Sequence, residues 1–266
     1  MAPSSTDFLE FARRAARYAG EAILPHFRAA LDVENKGGAS TYDPVTVADR
    51  AAEAAIRDAI RGAYPDHGIR GEEHGWQKGV SKYTWVIDPI DGTRSFILGQ
   101  MHWATLIALH DSERVVVGVA HQPFVGESFG ATVDGVAEWR RDSERRTLRS
   151  RACASIGEAV VACTDPKMFS PTERAAFDRV ADRARLTRWG GDCYAYCLLA
   201  MGLIDVVIES SLQAYDVQAL IPIVERAGGA ITTWTGTPCD EGGSVVACGD
   251  RVLHRHVLAL LANSAF

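Results

Sequence analysis

Trp85-Val86-Ile87-Asp88-Pro89-Ile90-Asp91-Gly92-Thr93 is an apolar run that ends abruptly in two carboxylates three residues apart, with Gly and Thr directly after them. A strand that ends in this way delivers acidic oxygens at its tip and then turns into a loop. Carboxylate oxygens suit a hard cation such as Mg²⁺, which in turn takes phosphate oxygens. Asp88, directly after Trp-Val-Ile, is costly near a core unless it is paired, protonated or metal-bound. Gly92-Thr93 adds backbone N–H groups at an expected helix start, an arrangement that binds anions.

The rest of the chain bounds the problem. Its 266 residues suit one large or two coupled domains around sizeable cores. A hydrophobic fraction of 47% and a charged fraction of 23% are ordinary for a globular protein, and the net charge is -6. That balance, with no basic run interleaved with aromatics, argues against a nucleic-acid partner. No apolar stretch approaches the ~20 residues that cross a bilayer, so no membrane partner is expected. The opening Met1-Ala2-Pro3-Ser4-Ser5-Thr6-Asp7 lacks the basic and apolar regions of a secretory signal, and a cytoplasmic protein is expected. Cys153, Cys163, Cys193, Cys197, Cys239 and Cys248 form no CxxC pair. Small buried thiols in a reducing compartment are expected of them, ahead of a structural zinc site.

Periodicity predicts a first helix over residues 6–24, ended by Pro25, and a second over 47–60. Residues 36–44 read as a loop with Gly37-Gly38 at its tip, and 64–68 as a turn. Strands are expected at 84–87, 104–109, 114–121 and 127–131. The charged stretch 140–151 reads as a boundary or an exposed hairpin, which divides the chain into halves 1–150 and 151–266. The second half alternates: strands at 160–162, near Leu186, and at 206–208, 230–233 and 244–247, with helices over 172–183, 193–201, 217–227 and 251–262. Strands mixed with helices on this scale indicate a layered α/β architecture.

Further acids stand out by context. Glu72 and Glu73 follow Gly71, as oxygen ligands in a turn or as a solvated turn. Asp216 precedes a mostly apolar helix, as a ligand or as its N-cap. Thr46 and Asp49 open the second helix, either as a cap and a first-turn acid or as groups that orient a hydroxyl or water. Spacing alone does not separate these readings.

The chain resembles the inositol monophosphatase superfamily of magnesium-dependent, lithium-sensitive phosphatases. The matching segments are Asp43-Pro44-Val45-Thr46-Val47-Ala48-Asp49, Gly71-Glu72-Glu73, residues 85–96 (WVIDPIDGTRSF), Tyr215-Asp216-Val217-Gln218-Ala219 and Glu225-Arg226-Ala227-Gly228-Gly229. They occur in the family's order over nearly the whole chain. The resemblance implies an α/β fold, a five-layer αβαβα sandwich of the inositol monophosphatase and fructose-1,6-bisphosphatase type, commonly dimeric. It implies two to three Mg²⁺ ions. Glu72, Asp88 and the carbonyl of Ile90 would hold the first, Asp88, Asp91 and Asp216 the second, and Glu72 would help with a weaker third. Asp49 and Thr93 would activate a metal-bound water, and Gly92 and Thr93 N–H groups would cradle the phosphate.

This agrees with the physical demands of phosphate monoester hydrolysis, in which an anionic nucleophile approaches an anionic ester. No cysteine nucleophile in a phosphate loop is visible, and the spacing Asp-Pro-Ile-Asp is not Asp-x-Asp, so direct attack by water is expected. The leaving group is read from Arg188-Trp189-Gly190-Gly191-Asp192-Cys193-Tyr194-Ala195-Tyr196-Cys197 and from Glu209. By resemblance, Gly191, Asp192 and Glu209 line the alcohol pocket, and Arg188 contacts phosphate or one of those acids. Two acids suit a cationic alcohol better than a neutral polyol. Tyr194, Tyr196 or Trp103 would pack on a ring or simply fill core. The run Gly190 to Cys197 resembles the histidinol-phosphate phosphatase branch. L-histidinol phosphate is the expected substrate, with inositol 1-phosphate the first rival and a catalytically silent binding or regulatory subunit the second. Asp192 also reads as a helix N-cap.

Overall fold

The computed structural model describes residues 3–30, 33–36 and 44–262. In chain order the elements are α1 (Ser5–Ile23), β1 (Val33–Asn35), β2 (Pro44–Thr46), α2 (Val47–Ala63), β3 (Gly68–Gly71), β4 (Gly75–Gln77), β5 (Thr84–Asp91), α3 (Thr93–Ile97), β6 (Ala104–His110), β7 (Val115–Gln122), β8 (Glu127–Thr132), β9 (Glu138–Arg141) and β10 (Glu144–Thr147). There follow β11 (Val160–Cys163), α4 (Pro171–Ala181), β12 (Leu186–Trp189), α5 (Asp192–Ala200), β13 (Val206–Leu212), α6 (Ala214–Val217), α7 (Leu220–Arg226), β14 (Ala230–Thr233), β15 (Gly243–Cys248) and α8 (Arg251–Leu261). Within the expected loop 36–44, residues 37–43, Gly37-Gly38 and Asp43 among them, lie outside the described residues.

An eight-stranded sheet runs β10-β9-β8-β7-β6-β5-β3-β4, and a five-stranded sheet runs β12-β11-β13-β15-β14. Period-two alternation sends each strand's side chains to two different cores. On β5, Trp85 and Ile87 join α1 and α2 in an outer core, whereas Val86 faces the middle layer of α5 and α7. On β13, Val207 meets that middle layer, whereas Val206 and Ile208 pack toward α4 and α8. The layers are therefore helices, large sheet, helices, small sheet, helices, the αβαβα sandwich expected. The charged stretch 140–151 contributes a hairpin, β9 paired antiparallel with β10. All six cysteines are buried thiols. Among the described residues no helix is long and apolar enough to cross a membrane.

Three differences from the sequence expectation have local causes. Strand β3, bounded by glycines and only four residues long, carries too little pattern to be read. The helix expected over 217–227 is two, α6 and α7. Pro222 has no N–H to give the Gln218 carbonyl, so the helix breaks between them. The break packs tightly on the large sheet: a Cβ on Gly118 would stand 2.0 Å from the Ala219 carbonyl oxygen. The helical turn also begins before Asp216, which is therefore not its N-cap. Gln213 caps α6, and the Asp216 Oδ2 accepts from the Gln213 N–H at 2.6 Å.

Candidate metal and substrate site

Strand β5 delivers the opening motif. It runs antiparallel to β6 with Asp88 opposite Leu106 and Asp91 opposite Ala104, so one extra residue is inserted between them. In a regular strand two residues three apart point to opposite faces. The bulge re-aims the second carboxylate. Asp88, Asp91 and Asp216 consequently offer three carboxylate oxygens that lie within 4.8 Å of one another. Burial pushes Asp88 well above the usual carboxylate range, with Glu72, Asp91 and Asp216 adding like-charge repulsion. Burial and then Asp216 do the same to Asp91. Three converging hard oxygens that resist shared ionisation fit a divalent cation.

The turn after the bulge is held by its own side chains. The Ile90 N–H donates to Asp88 Oδ1 at 3.0 Å, and the Thr93 hydroxyl donates to the Ile90 carbonyl at 3.0 Å. Gly92 sits at φ 83°, and a Cβ there would meet the His102 carbonyl oxygen at 2.6 Å. Only glycine serves this position without strain.

Glu72 follows β3, parallel to β5 in the sheet. Its Oε1 lies 2.9 Å from Lys36 Nζ, which also takes Glu73 at 2.6 Å. Burial raises the Glu72 carboxyl to about 7 despite that ammonium. The turn is anchored from α2. Glu53 accepts the Glu73 N–H at 2.7 Å and the His74 N–H at 3.2 Å, and pairs with Arg57 at 2.7 Å. Asp49 occupies the same helix. Its Oδ2 closes the capping box with the Thr46 N–H and hydroxyl at 2.8 and 2.6 Å. Its Oδ1 is buried with no hydrogen-bond partner among the described residues. Burial lifts its carboxyl to about 6. One oxygen thus serves as cap, and the other is open to a hydroxyl or water.

The residues that the sequence offered for substrate selection come from β12, the start of α5 and β13. The Asp192 Oδ2 accepts from the Ser95 hydroxyl at 2.7 Å, and the Cys193 N–H at the start of α5 donates to Asp91 Oδ2 at 2.8 Å. Gly191 holds the N-cap position and Asp192 is the first residue of α5, so Asp192 does not cap the helix, whose Cys193 N–H is taken by Asp91 from the other sheet. Asp192 lies against the phosphate-side turn: its Cβ and Cγ would be 3.1 Å from a Cβ on Gly92. Glu209 is 3% exposed, and both oxygens are engaged. Thr164 donates its N–H and hydroxyl to one, and the Tyr196 hydroxyl donates to the other at 3.0 Å. The same Thr164 hydroxyl accepts the Asp192 N–H at 3.1 Å. Burial raises Glu209 to about 7. Arg188 is exposed on β12, and Gly191, at φ 151°, precedes α5. Tyr196 is core, and Tyr194 packs edge-on against Phe129 at 5.9 Å. Trp103 is fully buried against Phe27 and Phe96.

The sequence reading missed Lys36, Glu53, Arg57, Ser95 and Thr164. A signal existed for two of them. On α2 the row Asp49, Glu53, Arg57 repeats every four residues directly beside the apolar row Ala48, Ala52, Ile56, Ile60. Charges kept at that spacing next to a core stripe are buried with it.

A layered α/β sandwich in which carboxylates of β5 and α6 converge fits a metal-dependent phosphatase. A model of the inositol monophosphatase family matches residues 4–265, and the chain belongs to that family. It is 39% identical over 253 residues to the chloroplastic bifunctional phosphatase IMPL2 of Arabidopsis thaliana, covering 91% of this chain and 71% of that one. It is 33% identical over 260 residues to a histidinol-phosphatase of Chlorobaculum parvum, covering 97% and 98%. Among solved structures, an inositol monophosphatase from Zymomonas mobilis superposes with a TM-score of 0.85 at 36% identity, covering 98% and 99%.

Proposed function

We propose that this phosphatase hydrolyses L-histidinol phosphate to L-histidinol and phosphate, in histidine biosynthesis, by direct attack of water. The observation that carries the substrate choice is Asp192, a half-buried carboxylate set against Gly92 at the turn where the phosphate is to sit. An ammonium on the leaving alcohol offsets the cost of that acid, and a neutral polyol does not. The histidinol-phosphatase of Chlorobaculum parvum among its relatives supports the same reading.

Two to three Mg²⁺ ions held by Glu72, Asp88, the Ile90 carbonyl, Asp91 and Asp216 would offset the charge of the ester and lower the pKa of the attacking water. The open Asp49 Oδ1 is the proposed proton acceptor. By the family resemblance Thr93 is its partner in activating the water; in the fold the Thr93 hydroxyl donates to the Ile90 carbonyl. The Gly92 and Thr93 N–H groups cradle the phosphate, and Arg188 and Gly191 complete the substrate wall. Glu209 acts through Thr164, which holds the backbone of Asp192 in place. A cytoplasmic homodimer is part of the proposal, in line with the family resemblance and with six buried thiols.

Phosphate release from a panel of esters, with and without Mg²⁺, tests the reading. Histidinol phosphate should be the preferred ester and should need the metal. Faster turnover of inositol 1-phosphate would transfer the proposal to that substrate, which the Zymomonas mobilis likeness favours.

A further inference from the structure

Away from the carboxylates, a cavity of about 550 Å³ opens between α1 and the β7–β8 turn with the β9–β10 hairpin. Its helix wall is one stripe of α1, in which Glu10, Arg13, Arg17 and Gly20 recur at three- and four-residue spacing, continued by Leu24 just past the helix end. Five arginines line it against three carboxylates, in a chain whose net charge is -6. One of those carboxylates, Glu10, is taken by Arg140 at 2.8 Å. Arg17, Arg141 and Arg145 have no ion pair among the described residues.

Arg13 is the unusual member. It is 4% exposed, and no carboxylate pairs with it among the described residues. Its Nη1 donates to the Ser128 hydroxyl at 2.8 Å, and its Nε has no partner. The fold makes room for this cation: a Cβ on Gly130 would stand 2.8 Å from Arg13 Nη2. Burial and then Arg140 push Arg13 down to about 10. The Glu10 and Glu138 carboxylates act on Arg13 only through space, without a contact pair, so the buried guanidinium keeps a desolvation cost that an anion in the cavity offsets.

We propose that this cavity is a second ligand site, distinct from the carboxylate cluster, for a small multivalent anion carrying phosphate. Arg13 supplies a fixed buried charge, and Arg17, Arg141 and Arg145 close on the ligand from solvent. Guanidinium forks match phosphate oxygens in pairs, and the volume exceeds what one orthophosphate fills.

The test uses the full-length protein, stripped of metal and then desalted, so that the carboxylate cluster repels anions. Inorganic pyrophosphate is titrated calorimetrically, with citrate as the carboxylate comparison. Saturable one-site binding of pyrophosphate, tighter than that of citrate, is expected. The exposed pair Arg17→Gln with Arg145→Gln should weaken it by roughly tenfold or more while circular dichroism stays unchanged. Arg13→Lys, which keeps the charge and loses the fork, should weaken it as well. Absence of saturable binding, citrate binding as tightly as pyrophosphate, or binding that survives the double substitution would overturn the proposal.

Discussion

Asp88, Asp91 and Asp216 turn three carboxylates toward one another, whereas Asp192 and Glu209 rest theirs on hydroxyl groups of Ser95, Thr164 and Tyr196. Both sets are acidic, both border the Asp91–Gly92 turn, and burial raises the carboxyls in both. The difference lies in what satisfies them. The first set leaves like charges facing each other, so it calls for a cation. In the second, hydroxyl donors fix the carboxylates in place without a contact cation, which in the proposed enzyme makes them a pre-set wall that discriminates among ligands. In the proposed enzyme the first breaks the bond and the second selects the alcohol.

The largest effect should come from the first set. Asp91→Asn keeps an oxygen for the Cys193 N–H and removes a converging charge. Phosphate release should fall by roughly a thousandfold or more with the thermal melt little changed, on any ester. An active Asp91→Asn protein would break the comparison at its root. Next comes the support of Glu72. Glu53→Gln leaves Arg57 buried without its counter-ion, at a cost of about 3–5 kcal/mol in urea unfolding. A loss well below 1 kcal/mol would mean that the 71–74 turn does not depend on Glu53.

The second set predicts a pH effect. Glu209 stands at about 7 in the fold against 4.5 as its ordinary value. Between those values the folded chain holds a proton that the unfolded chain has released. Glu209 thus lowers stability as pH rises through that window, by on the order of 3 kcal/mol. Comparing urea melts of the parent and Glu209→Gln from pH 4.5 to 7 should show the flatter profile in the variant. Parallel profiles would remove Glu209 from the account. The smallest effect separates substrates. Asp192→Asn should reduce kcat/KM for histidinol phosphate by roughly 10–100-fold and leave inositol 1-phosphate nearly unchanged. An equal loss on both would make Asp192 a structural group.

How far the sequence carried depended on where partners lie along the chain. Asp88, Asp91, Gly92 and Thr93 lie within six residues, so their chemistry could be read directly; the mixture of strands and helices indicated a layered α/β fold, and the five-layer order came from the family resemblance. The bulge that aims Asp88 and Asp91 at one point is a property of pairing with β6 and has no local signature. Thr164 lies 28 residues from Asp192 and 45 from Glu209, so its link between them appears only once β11, α5 and β13 are packed. The helix over 217–227 failed for a legible reason, Pro222, which sequence periodicity outweighed. The guanidinium-lined cavity was illegible because its arginines come from α1 and from a hairpin more than a hundred residues later.

The central claim is that metal-dependent hydrolysis here is directed at a cationic alcohol. Its most direct test is kcat/KM for L-histidinol phosphate and for inositol 1-phosphate, measured side by side with Mg²⁺ and after its removal. The account predicts a clear preference for histidinol phosphate and loss of both activities without the metal. Preference for inositol 1-phosphate, or full activity in the metal-free protein, would contradict it.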